Sequence, residues 1–112
     1  MRKEEQRSQE FCLITTAVAT QTQANELANA LVTNRLAACV QVLPITSTYT
    51  WKDQLHQEPE YLLLIKTTAR LYIEVEKAIL ELHSYELPEI MQIPVTAGYP
   101  PYLDWIRSSC KK

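Results

Sequence analysis

His83, Glu86 and Glu89 offer an imidazole and two carboxylates within seven residues. That donor set suits a borderline divalent ion. Cys39 adds a soft thiolate of the kind that holds Cu(I). Each residue also has a structural reading. His83 falls where a helix should end, and positive charge is favourable at a helix C-terminus. Cys39 and Cys12 sit in apolar stretches, where a free cysteine packs as a small hydrophobe. Cys110, the third residue from the end, is expected to be exposed and oxidisable. His56 is expected to be solvated in a turn. A Cys–His hydrolase needs nucleophile, base and orienting group within reach, and no flanking motif supports Cys39 with His83 in that role. Gly98 is the only glycine, so no glycine-rich phosphate loop exists.

Composition narrows the alternatives. The 112 residues suit one domain, with 46% hydrophobic and 21% charged residues and a net charge of -2. No basic cluster is present to neutralise a nucleic-acid backbone. The longest apolar run, Tyr61 to Ile65, is strand-sized, far short of the roughly 20 residues of a membrane span. Residues 1–10 are polar and lack the apolar core of a signal peptide, so they read as a flexible arm before a single domain over 11–112. Three cysteines without paired spacing argue for free thiols in a reducing, cytoplasmic compartment.

The elements that must position these residues follow from periodicity. Phe11 to Val18 reads as a first strand. Thr20 and Gln23 form a capping-box pattern before a helix near 21–34. Leu36 to Val42 is a second strand, which Pro44 interrupts before extended residues resume from Ile45 to Trp51. Lys52 to Glu58 reads as a turn and Glu60 to Thr67 as a third strand. Leu71, Val75, Ile79 and Leu82 mark an amphipathic helix near 69–83. Glu89 to Thr96 is a fourth strand. Gly98 is the natural candidate for a positive φ. Pro100 and Pro101 suit the start of a short terminal helix over Tyr102 to Ser109. The order is α+β: a ferredoxin-like βαββαβ arrangement with an extra C-terminal helix.

Such a sheet has helices on one face only. Yet the third strand is apolar on both sides, with Leu63 and Ile65 on one and Leu62 and Leu64 on the other. Residues 36–51, extended at about 3.3 Å each, would also project beyond a compact body as a long β2–β3 hairpin. Its far half carries Tyr49 and Trp51, which suit burial at an interface as well as folding back on their own domain. Both features call for a second copy of the chain.

Ordered motifs from about residue 11 to 108 carry a family resemblance. They are Arg35-Leu-Ala-Ala-Cys-Val40, Tyr49-Thr-Trp51, Glu60 to Thr68, His83-Ser-Tyr-Glu-Leu-Pro-Glu-Ile90, Pro94-Val95, Gly98 and Tyr102-Leu-Asp-Trp-Ile106. Together they resemble the CutA divalent-cation tolerance proteins. The resemblance implies a ferredoxin-like fold, a homotrimer similar to P-II signal proteins, and a non-enzymatic role in the response to metal ions. Copper or another divalent cation is the implied ion, with no organic cofactor. The family's copper site resembles a first-strand cysteine plus adjacent histidines; the matching positions here are Thr16, Leu82 and His83, so one ligand of three remains. Trimeric relatives also suggest an intersubunit cleft of Tyr49, Trp51, Glu58, Lys66, Tyr85 and Glu89, or equally a rim of salt bridges. The competing readings are a P-II-like module for a small ligand and a structural trimer that anchors another protein.

Overall fold

A computed structural model describes residues 10–112. Of the arm expected over 1–10, residues 1–9 lie outside the described residues. Glu10 is tied down: its carbonyl accepts from the Ala69 N–H, and its carboxylate pairs with Arg107 at 2.6 Å.

The elements run β1 (Phe11–Val18), α1 (Gln21–Thr33), β2 (Cys39–Trp51), β3 (Gln54–Thr68), a 3-10 turn (Ala69–Leu71), α2 (Tyr72–Leu82), β4 (Met91–Pro94) and α3 (Pro100–Ser109). The four strands form one antiparallel sheet in the order β2-β3-β1-β4. This is the ferredoxin-like βαββαβ order with an added terminal helix.

Alternation along the strands sorts the residues between two faces. Ile14, Thr16, Leu63 and Ile65 are fully buried against α1 and α2, which supply Ala24, Leu27, Leu31, Val75 and Ile79. Among the described residues, no helix crosses the middle of the opposite face. There Leu13, Leu62 and Leu64 are half-buried, and Leu43, Met91 and Ile93 are exposed. The third strand is therefore apolar on both sides in fact, with only one side covered.

The β2–β3 ladder is longer than the sequence pattern indicated. Pro44 does not interrupt β2, which pairs without a break from Cys39 to Trp51. β2 is an edge strand, and there a residue without an N–H is tolerated. The expected turn over 52–58 contracts to Lys52 and Asp53, with φ of 52° and 64°. Two consecutive positive-φ residues make the hairpin turn whose twist matches the strands, although glycine is absent. The projecting hairpin stretches the molecule to 47 × 29 × 21 Å, with a radius of gyration of 15.0 Å. A compact chain of this length would have roughly 13 Å.

Several local expectations are corrected. Gly98 has no positive φ; besides the turn, that conformation falls on Arg35, at 57°. Arg35 follows the C-cap Asn34, and the bonds Leu36 N–H to Leu31 O and Arg35 N–H to Val32 O close a Schellman motif. Gly98 is instead a close-packing position, since a Cβ there would lie 2.9 Å from Leu103 Cδ2. The capping box is half made: Thr20 Oγ1 accepts from the Gln23 N–H, but the Gln23 side chain donates to Ser84 Oγ. α2 begins at Tyr72 after the 3-10 turn, β4 keeps only Met91–Pro94, and α3 starts on the prolines themselves. Cys110 is 1% exposed, not open to solvent, because the end of α3 folds back onto Thr67. Arg35 fixes that end by donating to the carbonyls of Ser108 and Ser109 at 2.8 and 3.2 Å.

Candidate functional site

A cleft of about 650 Å³ opens on the uncovered side of the sheet, where the hairpin meets the segment after α2. Three stretches build it. β2 contributes Tyr49 and Trp51, which share a face because they are two residues apart. β3 contributes Glu58 and Glu60 by the same rule. Residues 84–89 supply Tyr85, Glu86 and Glu89 from the other side.

His83 positions that last segment. Its backbone N–H bonds the Ile79 carbonyl and ends α2. Its Nδ1 accepts from the Tyr85 N–H at 3.1 Å, so the ring proton lies on Nε2, which donates to the Ala17 carbonyl at 2.8 Å. The ring thus links the end of β1 to the start of the loop. The Tyr85 ring packs against it at 4.8 Å.

Inside the cleft, Tyr85 Oη donates to Glu60 Oε2 at 2.8 Å. Glu60 is only 8% exposed. Burial, the bond to Glu60 and the neighbouring negative charges push the Tyr85 hydroxyl well above the ordinary phenol range. Thr15 Oγ1 donates to Glu89 Oε2 at 3.1 Å and anchors that carboxylate to β1. Glu58 Oε1 lies 3.3 Å from His56 Nδ1, and the His56 ring stacks on Tyr49 at 5.3 Å. His56 is thus a strand residue supporting the aromatic wall, not a solvated turn residue.

The residues singled out in the sequence therefore separate. Tyr49, Trp51, Glu58, Tyr85, Glu86 and Glu89 come together in the cleft. Lys66 does not: it lies toward the opposite end of β3, opposite Cys39, with Nζ 3.2 Å from Tyr102 Oη. Cys39 is on the uncovered face, but β3 pairs it with Lys66, far along the ladder from His83 and Ala17. Glu60 was missed. Its signal is the Glu58-Pro59-Glu60 alternation, which is visible only once β3 is known to begin at Gln54.

A resident divalent ion is poorly served by these residues. Both His83 nitrogens are taken by backbone groups, and Thr16 Oγ1 is buried facing the helices with no hydrogen-bond partner. Among the described residues no group of three or more His, Cys, Asp or Glu side chains is arranged to hold a metal.

Comparison with known proteins places this geometry in a family. Residues 12–109 match the model described as CutA1 divalent ion tolerance protein. The chain is 40% identical over 102 residues to the divalent-cation tolerance protein CutA of Thermus thermophilus, covering 90% of this chain and 97% of that protein. It is 43% identical over 84 residues to mouse protein CutA, covering 74% of this chain and 48% of the mouse protein, so it spans about half the length of that relative. The solved CutA1 from Oryza sativa superposes with a TM-score of 0.89 at 29% identity, covering 92% of this chain and 95% of that one.

Proposed function

This chain belongs to the CutA1 divalent ion tolerance family, and on that premise we propose that it acts without catalysis in the response to divalent cations, as a homotrimer. The observation that carries the assembly is the uncovered sheet face. Leu13, Leu43, Leu62, Leu64, Met91 and Ile93 lie on it, and among the described residues no helix covers them. A contiguous apolar patch of this kind is what an obligate interface buries. Copies of the same chain, each carrying the same patch and a projecting hairpin, close such faces in a ring.

A non-catalytic role is supported by the chemistry present. Cys39 and His83 are far apart along the ladder, and the His83 ring is committed to the backbone. Copper acts, in this reading, through a site that the single chain does not preform. Free Cys12, Cys39 and Cys110 support a reducing, cytoplasmic setting. The P-II-like alternative needs a small anion in the cleft, and the carboxylates lining it disfavour that ligand.

The test has two arms. Light scattering should give about three times the 12.9 kDa chain mass at micromolar concentration; a monomer overturns the assembly. Deleting the gene in its host should lower growth in copper or zinc, and unchanged tolerance overturns the role.

A further inference from the structure

We propose that Cys12 and Cys110 form a redox-sensitive clasp, in which a hydroperoxide closes the two thiols into a disulfide that fastens the end of α3 to β1, and a thiol reductant reopens it. Both cysteines belong to the core on the helix side of the sheet. Neither lies on the uncovered face that assembly closes.

Thr67 is where the two thiols meet. Cys12 and Thr67 stand directly opposite each other in the β1–β3 ladder, so their side chains share a face, with Cβ atoms about 4.5–5.5 Å apart. The Thr67 hydroxyl donates to the Leu36 carbonyl at 2.6 Å, which leaves its oxygen to accept from the Cys110 thiol at 3.6 Å. After burial, Cys110 is the second cause that pushes the Cys12 thiol up, a charge effect between near neighbours. Cys39 has no part in this pair, because it alternates onto the opposite face.

The two sulfurs are held unequally. Cys12 lies in a central strand, paired with Thr67 on one side and Pro94 on the other. Cys110 is the C-cap of α3 and already has extended backbone, with φ of -90° and ψ of 150°. Helix ends open more readily than sheet centres. The bonds from Arg35 to the Ser108 and Ser109 carbonyls that hold this end are exposed to water. Cys110 is therefore the thiol that an oxidant reaches first. A disulfide spans Cα atoms about 4.4–6.8 Å apart, so closure is completed by movement of the freer C-cap toward the fixed strand.

The chemistry balances with one hydroperoxide. The Cys110 thiolate attacks a peroxide oxygen; the O–O bond breaks, a sulfenic acid forms, and the other oxygen leaves as hydroxide and is protonated to water. The Cys12 thiol then gives up its proton and attacks the sulfenic sulfur. The S–S bond forms, the S–O bond breaks, and a second water leaves. The two sulfurs lose two electrons and the peroxide oxygens gain them. Closure ties α3, whose Tyr102 hydroxyl accepts from Lys66, to the centre of the sheet.

The experiment treats the full native chain with hydrogen peroxide, removes the peroxide with catalase, and alkylates free thiols after unfolding in urea. Cys12 and Cys110 should lose their alkylation together. Peptide mapping without reductant should give one pair joined through Cys12 and Cys110, which dithiothreitol separates. The thermal midpoint of the joined form should rise by about 5 °C or more. In Cys12→Ser, Cys110 should stop at the sulfenic acid and be trapped by dimedone. If that variant does not fold, the map of the unaltered chain decides. Cys12 and Cys110 both still alkylated after prolonged peroxide, each oxidised separately to sulfinic acid, or joined to Cys39 instead overturns the clasp. So does an unchanged melting midpoint in the joined form.

Discussion

The ring of His83 donates to the carbonyl of Ala17 at 2.8 Å, tying the end of α2 to the end of β1. With Nδ1 accepting from Tyr85, the imidazole works as a backbone splice. His83→Ala leaves the Ala17 carbonyl and the Tyr85 N–H without partners. The expected loss is about 1–3 kcal/mol in chemical denaturation. Hydrogen exchange at Tyr85 should quicken. Unaltered exchange there would show that the splice does not hold the loop.

The thiols should separate by burial. Cys12 and Cys110 are 2% and 1% exposed, whereas Cys39 is half-buried. Iodoacetamide on the native protein should modify Cys39 first, as peptide mass mapping would show. Early modification of Cys110 would contradict the docked end of α3.

Burial, and then the nearby Cys110, push the Cys12 thiol from 9.0 up to about 11. The folded state therefore holds that proton more tightly than the unfolded chain. The resulting stability is fully present below pH 9 and is lost as pH rises toward about 11. Thermal melts should show that decline, and Cys12→Ala should reduce its slope.

Lys52 and Asp53 occupy left-handed backbone that asparagine and glycine adopt more easily. Replacing them by Asn-Gly should stabilise the chain by about 1 kcal/mol. The substitution sits at the hairpin tip and should leave the cleft chemistry unchanged. A destabilised variant would indicate that Lys52 is held there by contacts outside the single chain.

Leu63 and Leu64 are neighbours with opposite consequences. Leu63 is 0% exposed beneath the helices, so Leu63→Ala should cost about 2–5 kcal/mol at any protein concentration. Leu64 lies on the uncovered face, so Leu64→Lys should leave the secondary structure intact and lower the assembly mass. Equal loss of fold in both variants would argue against the open face as an interface.

The same residues show how far the sequence could be read. Leu62 to Ile65 announced a strand with two apolar faces, and the helical spacing of Val75 and Ile79 announced the cover for one of them. Both signals arise from burial, which binary pattern records directly. Pro44 misled because its effect depends on whether a strand is central or at an edge, and that is a property of the sheet. Gly98 misled because glycine serves close approach as well as positive φ, and only the neighbour Leu103 distinguishes them. The cleft was half legible. Tyr49, Trp51, Tyr85 and Glu89 were found through family motifs, but Glu60 acquires its character from burial across the sheet. Lys66 is expected in a cleft between subunits; within the single chain it stands toward the other end of β3.

The two-residue turn at Lys52 and Asp53 also bears on how the chain reaches its fold. β1 must find β3 across some fifty positions of sequence, and it must find β4 across about eighty. Such distant pairings close slowly. The β2–β3 ladder closes from its tip, where partners are near neighbours, on a scale of roughly 1–10 μs. Its register is therefore set by local contacts, ahead of the distant pairings of β1. A slip of β2 by one residue against β3 would carry Tyr49 and Trp51 to the helix side and present Val40 and Val42 to solvent. The hairpin thus works as a template: accuracy at its tip decides which side of the finished sheet meets the helices.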